Sequence, residues 1–127
     1  MQRKEQAEPA AHRLSVTTRP LSDVTNLLHR LPNDGPLAWV RNGEGLVAWG
    51  QVARLQVSGR ERFSRTQRWW TNLLSTMVID DTVSVPGTGP VAFGSFAFDD
   101  ELGTSIVVVP KVVIGRKGGQ SWITTIG

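Results

Sequence analysis

Between Gly89 and Ile126, three short runs rich in Val, Ile, Phe and Trp are separated by polar, Gly-containing breaks. That is the pattern of consecutive antiparallel strands. Within the first run, Val91 and Phe93 occupy odd positions, whereas Phe96 and Phe98 occupy even ones. A period of two cannot change phase in a straight strand, so the spacing predicts a bulge at Gly94-Ser95. The second run, Ile106-Val107-Val108-Val109, is apolar without alternation and predicts a strand buried on both faces. Such a strand needs a layer above it and a layer below.

Upstream, residues 1 to 11 are polar and lack periodicity, which predicts a disordered tail over 1–12 ahead of a unit spanning 13–127. His12 to Arg19 alternates through Leu14, Val16 and Thr18 as a strand closed by Pro20. Ser22-Asp23 can cap a short helix carrying Val24, Leu27, Leu28 and Leu31, and Pro32 to Pro36 ends it. Leu37–Arg41 and Leu46–Gly50 flank Asn42-Gly43-Glu44-Gly45, a strong hairpin signal. Gln51 to Val57 continues as strand, with an irregularity expected at Ala53-Arg54 where Val52 and Leu55 fall out of phase. Ser58-Gly59-Arg60-Glu61 reads as a capping box. The helix it opens runs from Arg60 to Met77, with Phe63, Trp70, Leu74 and Met77 on one stripe, widened by Trp69 and Leu73. Asp80 to Gly89 reads as a loop. The order of elements predicts an α+β fold, an antiparallel sheet with a long covering helix on one face.

Composition narrows the chemistry more than the fold. The 127 residues are 39% hydrophobic, with five Trp, no Tyr and no Cys, so disulfides, thiol nucleophiles and thiolate metal sites are excluded. The net charge of +3 and pI near 10.2 raise nucleic acid as a partner. The basic residues are scattered rather than interleaved with aromatics, however, and a small excess of this kind reads as a solubility feature. A small basic nucleic-acid module is therefore the weakest reading, to be revived by a steep salt dependence of binding. No run has the length of a membrane span, and Met1-Gln2-Arg3-Lys4-Glu5 lacks the apolar core of a secretion signal, so a cytoplasmic location is expected.

Reactive constellations are sparse. His12 and His29 are the only histidines, one beside the tail and one near the end of the short helix. Asp80-Asp81 and Asp99-Asp100-Glu101 are the only carboxylate clusters, and neither has the alternate spacing of a calcium loop. Gly115-Arg116-Lys117-Gly118-Gly119 is basic and Gly-rich but lacks the following helix of a phosphate loop, and reads as a hairpin turn. Lys111 has apolar neighbours on both sides, which would suit a base only if its amine were buried rather than at a wet edge. Trp69-Trp70 falls at core spacing on the helix. From these residues the expected catalytic, substrate-binding and metal sets within the chain are empty.

Several stretches in order resemble the N-terminal part of an isochorismate synthase, a chorismate-utilising enzyme. They are Pro36–Arg41, Gly45–Gly50, Ala53-Arg54-Leu55, the Ser58–Phe63 start of the long helix, Val107–Pro110 and Trp122–Thr125. Phe93–Asp99 is similar to the family's Gly-Gly-x-x-Phe-Asp strand, with Ser95 in place of the second Gly. The resemblance covers roughly residues 13–127. It implies the first half of a larger α/β/β/α sandwich and, for the complete protein, Mg²⁺-dependent conversion of chorismate to isochorismate. In that family a Lys activates the water, a Glu protonates the leaving hydroxyl and further Glu hold the metal. All of these lie beyond the Trp-Ile-Thr-Thr strand, so none is carried over to this chain. The segment is then expected to be inactive scaffold, partnered by the C-terminal half of the same fold or by a self-dimer covering its exposed sheet. The alternative is a free-standing, non-catalytic relative that acts as a protein-binding module.

Overall fold

The computed structural model describes residues 5–8, 13–22, 37–96 and 103–127. Ten strands and a helix are formed among them, in the order β1 Glu5–Glu8, β2 Ser15–Leu21, β3 Leu37–Arg41, β4 Glu44–Trp49, β5 Ala53–Ser58, α1 Arg62–Thr76, β6 Val78–Asp81, β7 Phe93–Ser95, β8 Thr104–Val109, β9 Val112–Lys117 and β10 Gln120–Ile126. The short helix expected after Ser22-Asp23, the Pro32–Pro36 break and Phe98 lie outside the described residues.

These strands make two sheets, β1-β5-β8-β7 and β3-β4-β9-β10-β2-β6, where the hydrophobic pattern predicted one antiparallel sheet. The sheets are joined by a single bent ribbon. β4 pairs with β9 and β5 with β8, both antiparallel, so one two-stranded ladder runs from the larger sheet into the smaller. At the bend, Gly50-Gln51-Val52 faces Pro110-Lys111, three residues against two, which is a bulge. Backbone bonds hold it on both sides: Val52 N to Val109 O at 2.9 Å and Lys111 N to Trp49 O at 3.1 Å. The irregularity expected at Ala53-Arg54 therefore falls three residues earlier. Ala53, Leu55 and Val57 then alternate regularly toward the core.

One pair departs from antiparallel order, since β6 runs parallel to β2. The cause is where α1 ends. The Arg13 side chain bonds the Thr76 carbonyl and Val78 N bonds Leu14 O, so the chain leaves the helix at the end of the sheet where β2 begins. β2 also extends through Pro20 to Leu21 rather than stopping at Arg19. Pro20 lies past the last residue paired with β6, where a missing amide leaves that ladder intact. Glu5–Glu8, inside the stretch expected to be disordered, instead pairs with β5 as β1, an addition made through backbone bonds that side-chain patterning does not reveal.

Helix α1 begins at Arg62, and Glu61 rather than Ser58 is its N-cap, with no side-chain capping bond. Ser58 is already the last residue of the β5 ladder, paired with Thr104, so the expected capping box does not form. Trp69, Trp70, Leu73 and Leu74 are half-buried against Leu14, Val16, Ala53, Met77, Val109 and Ile126, and Trp69 also reaches Leu55, Val57 and Val107. Phe63, expected on that stripe, is 55% exposed and stacks on Phe96 with ring centroids 4.9 Å apart. β7 pairs with β8 in regular register from Phe93 to Ser95 and ends there, and the Phe96 ring folds back over Gly94. β8 was expected to be buried on both faces. Ser105, Val107 and Val109 are buried, whereas Ile106 and Val108 on the other face are only half-buried.

Candidate functional site

Two tight hairpins build the site. The β3–β4 turn is Asn42-Gly43, with φ of 55° and 77°, and Arg41 pairs with Glu44 across it. Left-handed backbone at both central residues is the two-residue turn whose twist matches that of paired strands, and Asn-Gly adopts it readily. Gly118-Gly119, with φ of 57° and 78°, closes β9–β10 in the same way, between Lys117 and Gln120. The basic, glycine-rich stretch is thus a hairpin turn. Because β4 lies beside β9, the two turns are neighbours, and the Glu44 carboxylate accepts from the Gly118 amide.

Strand register places a row of side chains across one face of the larger sheet. Trp39 pairs with Leu46, Leu46 with Gly115, and Gly115 with Trp122. Gly115 has no side chain, and the Trp122 indole occupies the space above it, so closely that a Cβ there would stand 2.2 Å from the indole. Trp122 is 1% exposed and Trp39 is 75% exposed, which leaves an open trough between them over Leu46. The indole Nε1 of Trp122 is buried without a hydrogen-bond partner among the described residues.

The loop after β6 roofs this trough. Its anchor is Asp81, whose Oδ1 accepts from the amides of Val83 and Ser84 at 2.9 and 2.8 Å and whose Oδ2 accepts from the Thr88 hydroxyl. The Gly89 amide then donates at 3.1 Å to Thr18 Oγ1, which is bonded to the Thr124 hydroxyl at 2.6 Å inside the sheet. These bonds bring Pro86-Gly87 over Trp122 and Leu46. The resulting groove of about 600 Å³ is lined by Trp39, Leu46 and Trp122, with Arg41, Glu44, Arg116 and Lys117 on its rim. Aromatic walls thus stand beside the charged residues next to the two turns.

The candidates weighed from sequence lie elsewhere. Lys111 is exposed at the sheet bend, and Trp69 and Trp70 belong to the core contacts of α1. Asp80 pairs with Arg19 at 2.7 Å in an exposed bridge, and Asp81 is committed to its own loop. His12, His29 and Asp99-Asp100-Glu101 lie outside the described residues. Among the described residues no three His, Asp or Glu side chains converge as a metal site. No described helix is long and apolar enough to cross a membrane. Sequence reasoning missed the groove because its signals, Arg41 opposite Glu44 and Arg116-Lys117 before a turn, acquire meaning only once β4 is known to lie against β9.

Two sheets joined by a bent ribbon, with a loop-roofed groove on the larger one, define a sheet-rich α+β domain. Residues 2–126 match the family model described as chorismate binding enzyme, and the chain belongs to that family. No curated protein and no solved structure matches it.

Proposed function

We propose that this chain is the N-terminal scaffold segment of a chorismate-utilising enzyme of the isochorismate synthase type. The observation that carries the proposal is the family match along residues 2–126. In this reading the two sheets are the first half of an α/β/β/α sandwich, with α1 as a covering helix. The contacts of Trp69, Trp70, Leu73 and Leu74 with the core support that placement. The Lys and Glu residues that add water and expel hydroxide, and the carboxylates that hold Mg²⁺, would come from chain beyond Gly127. That second half would be the partner of this one, in the cytoplasm. The test is to read the coding frame past Gly127 and assay the complete product with chorismate and Mg²⁺. A continuation bearing a Lys and then paired Glu positions, with isochorismate as product, is expected; an immediate stop codon overturns the reading.

One observation favours the second reading, a non-catalytic relative that binds a partner. β6 is an edge strand with Val78 50% and Ile79 48% exposed, an apolar edge open to strand addition.

A further inference from the structure

The larger sheet ends in β3, whose outer edge carries an inference that does not depend on which reaction the complete protein performs. Among the described residues β3 pairs only with β4. Solvent reaches it from both faces, since Trp39 and Arg41 are exposed on the groove side and Ala38 on the other. Edge strands are ordinarily guarded by a proline, an inward-pointing charge or a bulge. Leu37-Ala38-Trp39-Val40-Arg41 has no proline, and its one charge lies beside the turn. Its register with β4 is unbroken over all five residues, so no bulge turns the edge away.

The two-residue Asn42-Gly43 turn fixes which backbone groups of β3 face outward. Residues flanking such a turn exchange both ladder bonds, and the exchange recurs at every second pair. Arg41, Trp39 and Leu37 therefore direct their amides and carbonyls at β4, in keeping with the Trp39 carbonyl oxygen lying against Gly45. Ala38 and Val40 direct theirs to the open side. An added antiparallel strand would bond there and set alternate side chains beside Trp39 and Arg41. The inner neighbour shows what suits those two positions. β4 sets Leu46 opposite Trp39 and Glu44 opposite Arg41, and the Glu44 carboxylate is also engaged by the Gly118 amide. On the outer side the Arg41 guanidinium and the Trp39 ring remain exposed, a cation and an apolar ring two residues apart. The strand that matches them carries a carboxylate and, two residues further on, an apolar side chain.

We propose that the β3 edge docks an extended segment of another protein, which adds as an antiparallel strand with an acidic residue opposite Arg41 and an apolar one opposite Trp39. The test is NMR titration of the isotope-labelled 127-residue chain with a capped peptide, Ser-Glu-Thr-Leu-Thr-Val-Ser. Saturable shifts should centre on the Ala38 and Val40 amides. Methylating the two threonine amides of the peptide, which face that edge, should abolish binding, whereas methylating its leucine amide, which faces away, should leave binding within about twofold. Lysine in place of the peptide's glutamate should weaken binding about threefold, as for an exposed ion pair, and Arg41→Glu should reverse that preference. Trp39→Ala should weaken binding about fivefold. Ala38→Pro removes an outward amide where an edge strand tolerates proline, and should abolish binding while a thermal melt shows the fold retained. The methylated peptides report on the unaltered chain, so they decide the matter even if Ala38→Pro unfolds. Shifts centred on β6, indifference to which peptide amides are methylated, or no saturation on the order of 5 mM would each overturn the proposal. Dimerisation through β3 in place of peptide binding would also overturn it, by making a second copy the occupant.

Discussion

Asp81 lies at the end of β6, and its carboxylate is pulled in opposite directions. Burial, the largest single influence, works to raise its pKa. The Thr88 hydroxyl, the Ser84 and Val83 amides and the Arg19 charge together outweigh burial and hold it below the usual carboxylate range. A carboxyl that is more acidic folded than unfolded contributes stability above its unfolded pKa, and loses it as the pH falls through the folded value. The loop over the groove should therefore loosen at acid pH, below the ordinary carboxylate range. Asp81→Asn should lower the urea midpoint at neutral pH and flatten the further fall on acidification. Equal acid sensitivity of the variant and the parent would count against this role. None of this was legible in the sequence, where Asp80-Asp81 is a pair of loop carboxylates and Thr88 is seven residues away. Trp122 and Gly115 were equally silent, because their contact depends on a ladder register.

At the scale of elements, the signals that worked are those with a local physical cause. The Asn42-Gly43 hairpin and the Gly118-Gly119 turn stand where backbone preference placed them. The helix survives with a later start because its apolar stripe is local, whereas the capping box fails because the β5 ladder holds Ser58. Bends were harder to place. The phase change beside Gly94-Ser95 suggested a bulge, but β7 simply ends there; the bulge observed is at Gly50–Val52, where the chain passes between sheets. The helix contacts give a direct test. Trp69 touches both hydrophobic clusters beneath α1, so Trp69→Ala should cost about 2–3 kcal/mol in urea unfolding, less than the about 3–5 kcal/mol of a fully buried aromatic. Trp39→Ala, at a 75% exposed position, should change stability by less than about 0.5 kcal/mol. Equal costs for the two would mean that α1 is not packed as described.

The whole molecule depends on pairings between distant segments. The bent ribbon that makes two sheets from one ladder, the parallel β6 and the contact of the two hairpins all join residues far apart in sequence, which periodicity cannot link. The ordered set of short motifs from Pro36 to Thr125 was more informative at this scale, and the family match over residues 2–126 agrees with it at the level of chorismate-binding enzymes. The central claim is that this segment is scaffold and that the reacting groups come from elsewhere in the complete protein. The most direct measurement is isochorismate formation from chorismate and Mg²⁺ by the 127-residue chain alone. No turnover above the uncatalysed rate is expected, whereas sustained turnover would place a working acid, base and metal site within these residues and contradict the account.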